Sequence, residues 1–119
     1  MEESLYERLG GSEGITRIAS DVFDNHAANP RIAPRFAKSD ARAVKQTVAN
    51  FFIAGTGGPQ IYEGKDMKAA HAGMNIDAAE FVAVLDDALA ALEKNGIGQR
   101  EKEEVLYVLY SMKGDIVFG

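Results

Sequence analysis

Apolar side chains recur along this chain at intervals of three and four, the period of an amphipathic helix. After residue 12 they fall at Ile15, Ile18, Ala19, Val22 and Phe23, and the next place on the stripe is taken by His26. Val44, Thr47, Val48, Phe51 and Phe52 repeat in the same way. So do Phe81, Val84, Leu85, Ala88, Leu89 and Leu92, and finally Val105, Val108, Leu109, Met112 and Ile116. No strand-like alternation and no internal repeat competes with these stripes. The pattern predicts an all-α fold.

Capping and breaking residues divide the stripes into elements. Ser4 to Leu9 reads as a short helix stopped at Gly10-Gly11, with Ser12 as the expected N-cap of the next helix. Pro30 and Pro34 end that helix and predict an extended corner over NPRIAPRF, closing on Phe36. Asp40 is the next cap, and GTGGP at 55–59 terminates the helix it opens. From Gly55 to Asp66 no period is visible, and connections that long are uncommon in compact domains unless they serve a purpose. A very short helix, MKAAHA, follows and closes at Gly73. Asp77 with Glu80 forms a capping box for the long helix that ends at Gly96, and the last helix starts near Gln99.

The 119 residues fit one domain, 1–119, with 46% hydrophobic and 26% charged residues, an ordinary globular composition. Thirteen basic against eighteen acidic residues give a charge of −5 without a basic cluster, which argues against a nucleic-acid surface. Cysteine is absent, so disulfides, thiolate metal sites and thiol catalysis are excluded together. The opening MEESLYERLGG lacks the pattern of a secretory signal, and no apolar run is long enough to cross a bilayer. The expectation is a soluble, cytoplasmic monomer that engages neither nucleic acid nor membrane.

Several literal motifs do not survive their context. Gly10-Gly11-Ser12-Glu13-Gly14 matches G-x-S-x-G, but a nucleophile elbow needs a strand before the serine, and here a helix precedes it. GTGGP has neither a leading strand nor a following Lys-Ser/Thr, so it reads as a helix stop. Glu-x-x-His pairs for a di-iron bundle are missing, since Phe23 precedes His26 by three and Lys68 precedes His71 by three. Two histidines on separate helices also serve zinc poorly. The run Arg100-Glu101-Lys102-Glu103-Glu104 reads as a solvated helix face with pairs at three and four residues.

The short helix MKAAHAGM holds one of the two histidines, His71, on a stripe with Met67, Ala70 and Met74. Its length is well below the ~12–15 residues at which an isolated helix becomes marginal. Ala69, Ala70 and Ala72 beside the imidazole fill little core. Such a helix, hung after a long loop, suits a histidine held against something flat and bulky, and haem is such an object. Phe23, Phe36, Phe51, Phe52 and Phe81 are candidate walls.

Read in order, LYERLGG (5–11), NPRIAPRF ending in Phe36, FF (51–52), GGP (57–59), YEG (62–64), MKAAHAG (67–73) and Ile76 before the capping box resemble the group I truncated haemoglobins nearly end to end. The resemblance implies a two-over-two helical sandwich around haem b. It implies that His71 is the proximal iron ligand, that Phe36 packs on the haem face, and that Tyr62, Met67, Ile76 and Phe81 line the pocket. Tyr62 with Lys68 or Arg42 would contact the propionates. Phe51 and Phe52 fall where the family lines or gates an apolar ligand tunnel. O₂, CO and NO are the implied ligands, with a separate reductase as redox partner.

The distal side departs from the family. Where relatives usually carry tyrosine this chain has Phe23, and the neighbouring distal positions are Val44, Thr47 and Val48. Phenylalanine donates no hydrogen bond, which implies faster O₂ release and quicker oxidation. His26, one turn beyond Phe23, is read either as a satisfied core histidine or as a distal donor or second iron ligand. The function implied is reversible binding of O₂ and other diatomic gases, with nitric oxide dioxygenation as the conceivable enzymatic activity. The alternative is a cofactor-free helical binding or regulatory domain.

Overall fold

In a computed structural model, which describes residues 3–62 and 76–117, the helical stripes become helices at the places their caps mark. The described elements are α1 (Leu5–Arg8), α2 (Gly11–Ala28), a 3₁₀ turn (Ala33–Phe36), α3 (Ala41–Gly55), α4 (Ala78–Lys94), α5 (Gln99–Ser111) and α6 (Lys113–Ile116). No strand occurs among the described residues. The expected MKAAHA helix, with Met67, Lys68 and His71, lies outside them.

The entry to α2 differs from the expectation. Ser12 sits inside the helix, and Gly10 is the cap residue, with φ 99° and no side-chain cap. Tyr6 takes over the capping: its hydroxyl accepts from the Ser12 backbone N–H at 3.1 Å and shares a 2.7 Å hydrogen bond with the Ser12 hydroxyl. A left-handed Gly10 turns the chain back so that this contact forms. Tyr6 also docks on the far end of α3, where its N–H donates to the Thr56 carbonyl at 2.9 Å. Other expected caps stand. Asp40 accepts from the N–H groups of Arg42 and Ala43, and Asp77 accepts from that of Glu80.

α2 is the central beam. Its stripe Ile15, Ile18, Ala19, Val22 and Phe23 is buried, His26 included. It packs most extensively on α3 and next on α4, while α4 also pairs with α5, so two helix pairs are stacked on one another. Between them Leu9, Ile15, Ile18, Val22, Ile53, Ala88, Leu92 and Val105 form the core. The space left among these apolar residues is only about 10 Å³, at the lower limit for one water and without a polar partner for it.

The face of α3 turned to that core is narrower than its apolar period implied. Ala49 and Ile53 are buried, Val44, Val48, Phe51 and Phe52 are partly covered, and Thr47 is exposed with its hydroxyl donated to the Ala43 carbonyl. A bulky-residue pattern misses this because one of the two buried residues, Ala49, is small. The corner after α2 is also not extended throughout. Asn29 is extended before Pro30, as the proline ring demands, but Ala33–Phe36 then tightens into 3₁₀ geometry with Pro34 in its first turn.

Arg8 joins α1 to α5 through a bidentate contact with Glu104 and a 3.2 Å hydrogen bond to Glu101. The charged run on α5 is therefore partly an anchoring surface, with Arg100 and Glu104 also 4.0 Å apart along the helix. Glu104 is held below its ordinary carboxylate range, first by the Arg8 hydrogen bond.

At Gly58 any side chain would collide with the docked Tyr6 ring. A Cβ there would lie 2.5 Å from the Tyr6 ring and 2.9 Å from the Ile53 carbonyl oxygen. Gly58→Ala is expected to lower unfolding stability by ~1–3 kcal/mol in urea titrations. The loss should be much smaller in a Tyr6→Ala background, and equal losses in both backgrounds would contradict the account.

Candidate functional site

Two groups of side chains that the sequence singled out are brought together, at two places. The first lies between α3, α4, α5 and α6. Phe51, Ile76 and Phe81, joined by Val84, Leu85, Leu109, Met112 and Ile116, enclose a cavity of about 100 Å³. Every one of these linings is apolar. Phe81 and Leu85 are buried faces of α4, and Ile76 is 7% exposed just before the Asp77 cap. On one side Phe51 meets Tyr62 edge to face with centroids 5.5 Å apart, and Phe52 lies 5.8 Å on the other side of the Phe51 ring. Opposite, Phe81 packs edgewise on Tyr110 at 6.3 Å. Leu109, Met112 and Ile116 belong to a stripe visible in the sequence, but its period shows only that they face inward, not that they face a cavity.

The second group is aromatic and polar. Phe23 and Phe36 meet edge to face at 5.4 Å, and the His26 ring stacks on Phe36 at 5.9 Å with the planes 8° apart. His26 Nδ1 lies 2.7 Å from Asp87 Oδ2 on α4, both side chains being largely buried. A carboxylate only accepts, so Nδ1 carries the proton. Asn29 donates to both Asp87 oxygens, and Asn25 donates to the Asp87 backbone carbonyl at 3.0 Å. Sequence reasoning missed Asp87 because it lies 61 residues from its partner and its place on α4 looks like any half-exposed acid. The only signal was His26 itself, a polar residue on an apolar stripe.

Phe36 is held from a second direction. Arg35, its neighbour on the 3₁₀ turn, makes a two-point contact with Glu80, with Nε 2.5 Å and Nη2 2.9 Å from the two carboxylate oxygens. Glu80 is thus both the capping-box acid of α4 and the anchor of the corner. Beside this group, Lys45 sets its ammonium 5.8 Å from the centre of the Phe23 ring and pairs with Asp24 at 3.0 Å. Arg42 is exposed. His71, Met67 and Lys68 lie outside the described residues.

What could be held here follows from the lining. Among the described residues no group of three or more His, Asp or Glu side chains converges on a metal position. A cofactor that brings its own equatorial ligands and an apolar body fits the cavity wall, needing from the chain only one axial donor and a dry surface. A wider cleft of about 400 Å³ between α1 and α5 lies open to solvent beside Arg100, Glu103 and Glu104, and lacks that character.

Comparison with known proteins identifies the family and the fold. The family model described as bacterial-like globin matches residues 4–118. The chain is 26% identical to the group 1 truncated haemoglobin of Tetrahymena pyriformis over 115 residues, 97% of this chain and 95% of that protein. It is equally 26% identical to the group 1 truncated haemoglobin GlbN of Nostoc sp. strain MUN 8820, covering 96% and 97% of the two chains. The crystal structure of a tyrosine-to-phenylalanine variant of the Tetrahymena pyriformis protein, in its Fe(III) form, superposes with a TM-score of 0.93 at 27% identity, covering 97% of this chain and 98% of that one.

Glu80 generates a pH prediction. The Arg35 hydrogen bond first, then the Arg35 charge and the Asp77 backbone N–H, hold its carboxyl below the ordinary value of 4.5, against an opposing effect of desolvation. A carboxylate whose pKa is lower folded than unfolded adds stability above its ordinary value and loses it as pH falls through the folded one. Stability should therefore drop below about pH 4.5, and Glu80→Gln should make that drop shallower while lowering stability at pH 7. Thermal melts from pH 3 to 7 read this directly. An unchanged slope in the variant would contradict the role given to Glu80.

Proposed function

This chain belongs to the bacterial-like globins, whose family model spans residues 4–118, and from that premise we propose that it binds haem b and, through it, diatomic gases. The observation that carries the reading is, beside a core that leaves only about 10 Å³ of space, the apolar cavity bounded by Phe51, Ile76 and Phe81. Left unfilled, a cavity of that size costs about 2–3 kcal/mol, so a fold that keeps one has a use for it. When bound, haem would supply an iron able to bind O₂, CO or NO.

The chain's residues then take the following parts. His71, the proximal ligand that the resemblance implies, would hold the iron. Phe51, Ile76 and Phe81 would give the pocket its dry, apolar wall, with Met67 and Phe36 in the parts that the resemblance implies for them. Tyr62, with Lys68 or Arg42, faces the propionates. Phe51 and Phe52, in edge-to-face contact, border the path by which gas enters.

On the ligand side the chain offers little to donate. Phe23, Val44 and Val48 carry no polar atom, and the Thr47 hydroxyl is occupied by the Ala43 carbonyl. The His26 Nδ1 proton is committed to Asp87, so the neutral ring has no proton left to donate to a bound gas, while Nε2 keeps its lone pair. Gas carriage in the cytoplasm, or dioxygenation of nitric oxide with electrons from a separate reductase, is the physiological role this pocket suits. An apolar pocket without an acid–base group does not suit dedicated peroxide chemistry.

Purified protein with added hemin should develop a Soret band that His71→Ala abolishes or strongly weakens. Absence of the band would favour the cofactor-free regulatory domain instead. In the loaded protein, Phe23→Tyr should slow O₂ dissociation by ~2–10-fold in stopped flow, corresponding to the ~0.5–1.5 kcal/mol of one regained hydrogen bond. CO dissociation should change less. An O₂ off-rate that does not respond would show that position 23 does not face the ligand.

A further inference from the structure

Phe36 stands on a short corner that makes few packing contacts of its own, yet two carboxylates of α4 register it. Glu80 and Asp87 are seven residues apart, two helical turns, and so project from one face. Glu80 grips Arg35, the residue next to Phe36. Asp87 grips His26, whose ring lies flat on Phe36. Phe36 in turn meets Phe23 edge to face.

We propose that Asp87 is a positioning residue for the Phe23–Phe36 wall, acting through the Nδ1–H of His26. The chain of contacts has defined geometry at each step. Asp87 Oδ2 lies 2.7 Å from Nδ1, the imidazole and Phe36 planes are 8° apart, and the Phe36 and Phe23 planes are inclined by 72°. Asp87 is itself fixed, since Asn29 donates to both of its oxygens and Asn25 ties down its backbone carbonyl. A carboxylate so held leaves the imidazole one orientation in which its proton is satisfied. This explains a histidine where the α2 stripe calls for an apolar residue: leucine would fill the space, but it would not transmit the register of α4 to the aromatic pair. The consequence for ligand binding rests on the haem reading above; the positioning itself does not.

The test uses the full chain labelled with ¹⁵N-histidine and ¹³C-phenylalanine, measured by NMR without hemin and by stopped flow with it. Long-range ¹H–¹⁵N spectra of the wild type should show neutral His26 as the Nδ1–H tautomer. In Asp87→Ala that signature should be lost, and the Phe36 and Phe23 ring resonances should shift while that of Phe81 stays. Asp87→Asn, which keeps an acceptor oxygen, should restore most of both. His26→Leu, which retains apolar bulk on the buried stripe, should shift the same two rings and covers the case in which Asp87→Ala does not fold. In the hemin-loaded protein, O₂ release should change by at least about twofold in Asp87→Ala and in His26→Leu, the scale of one hydrogen bond, with the double variant adding little.

An Nε2–H tautomer in the wild type overturns the proposal, as do unshifted Phe36 and Phe23 rings in either variant. Failure of hemin to bind would sink the proposed function alone, since the ring and tautomer measurements are made without it.

Discussion

The rest of this structure depends on the burial of one face of α2. Ile15, Ile18 and Val22 are each at most 5% exposed, and side chains of that size contribute about 1.5–3 kcal/mol apiece when fully buried. Because α3 and α4 both pack on this helix, its stripe sets where each of them stands. The N-terminal half of the stripe builds the tight core. The C-terminal half, Phe23 and His26, builds the wall around Phe36. One helix therefore serves as a packing beam at one end and as part of the candidate site at the other.

The polar contacts divide in the same way. Those near the amino terminus lock the frame: Tyr6 on Ser12 and on the end of α3, and Arg8 on Glu101 and Glu104. Asp21 adds a tie from α2 to the end of α4 through Asn95 at 2.8 Å and Lys94 at 3.2 Å, which hold its carboxyl below the ordinary range. Those near Phe36 orient side chains. Glu80 and Asp87 reach from α4 to a corner whose 3₁₀ turn, Ala33–Phe36, has no buried residue. The apolar cavity lies beyond these contacts and is lined without polar groups, as a pocket that must stay dry requires.

What could be read from the sequence was whatever repeats locally. The α2 stripe, the Asp40 cap and the Asp77–Glu80 box each lie within a few residues of their partners, and all three stand as expected. Contacts between distant residues were not legible. Ser12 looked like a cap because its sequence context is that of one, yet the capping oxygen comes from Tyr6 on another helix. Arg35 and Glu80 are 45 residues apart, and nothing in either neighbourhood announces the pair. The α3 face was read too broadly because period analysis weights large residues, whereas Ala49, a small one, is fully buried. Phe51 and Phe81 stood out on their helical stripes and Ile76 came from the resemblance, and the structure brings the three together.

The central claim is that this frame holds one haem through His71, against the wall formed by Phe51, Ile76 and Phe81. Anomalous diffraction at the iron edge, from crystals of the hemin-loaded protein, tests it most directly. The account predicts a single iron per chain, ligated by the His71 imidazole and bordered by that apolar wall. An iron ligated by His26, or one bound away from the cavity, would contradict it.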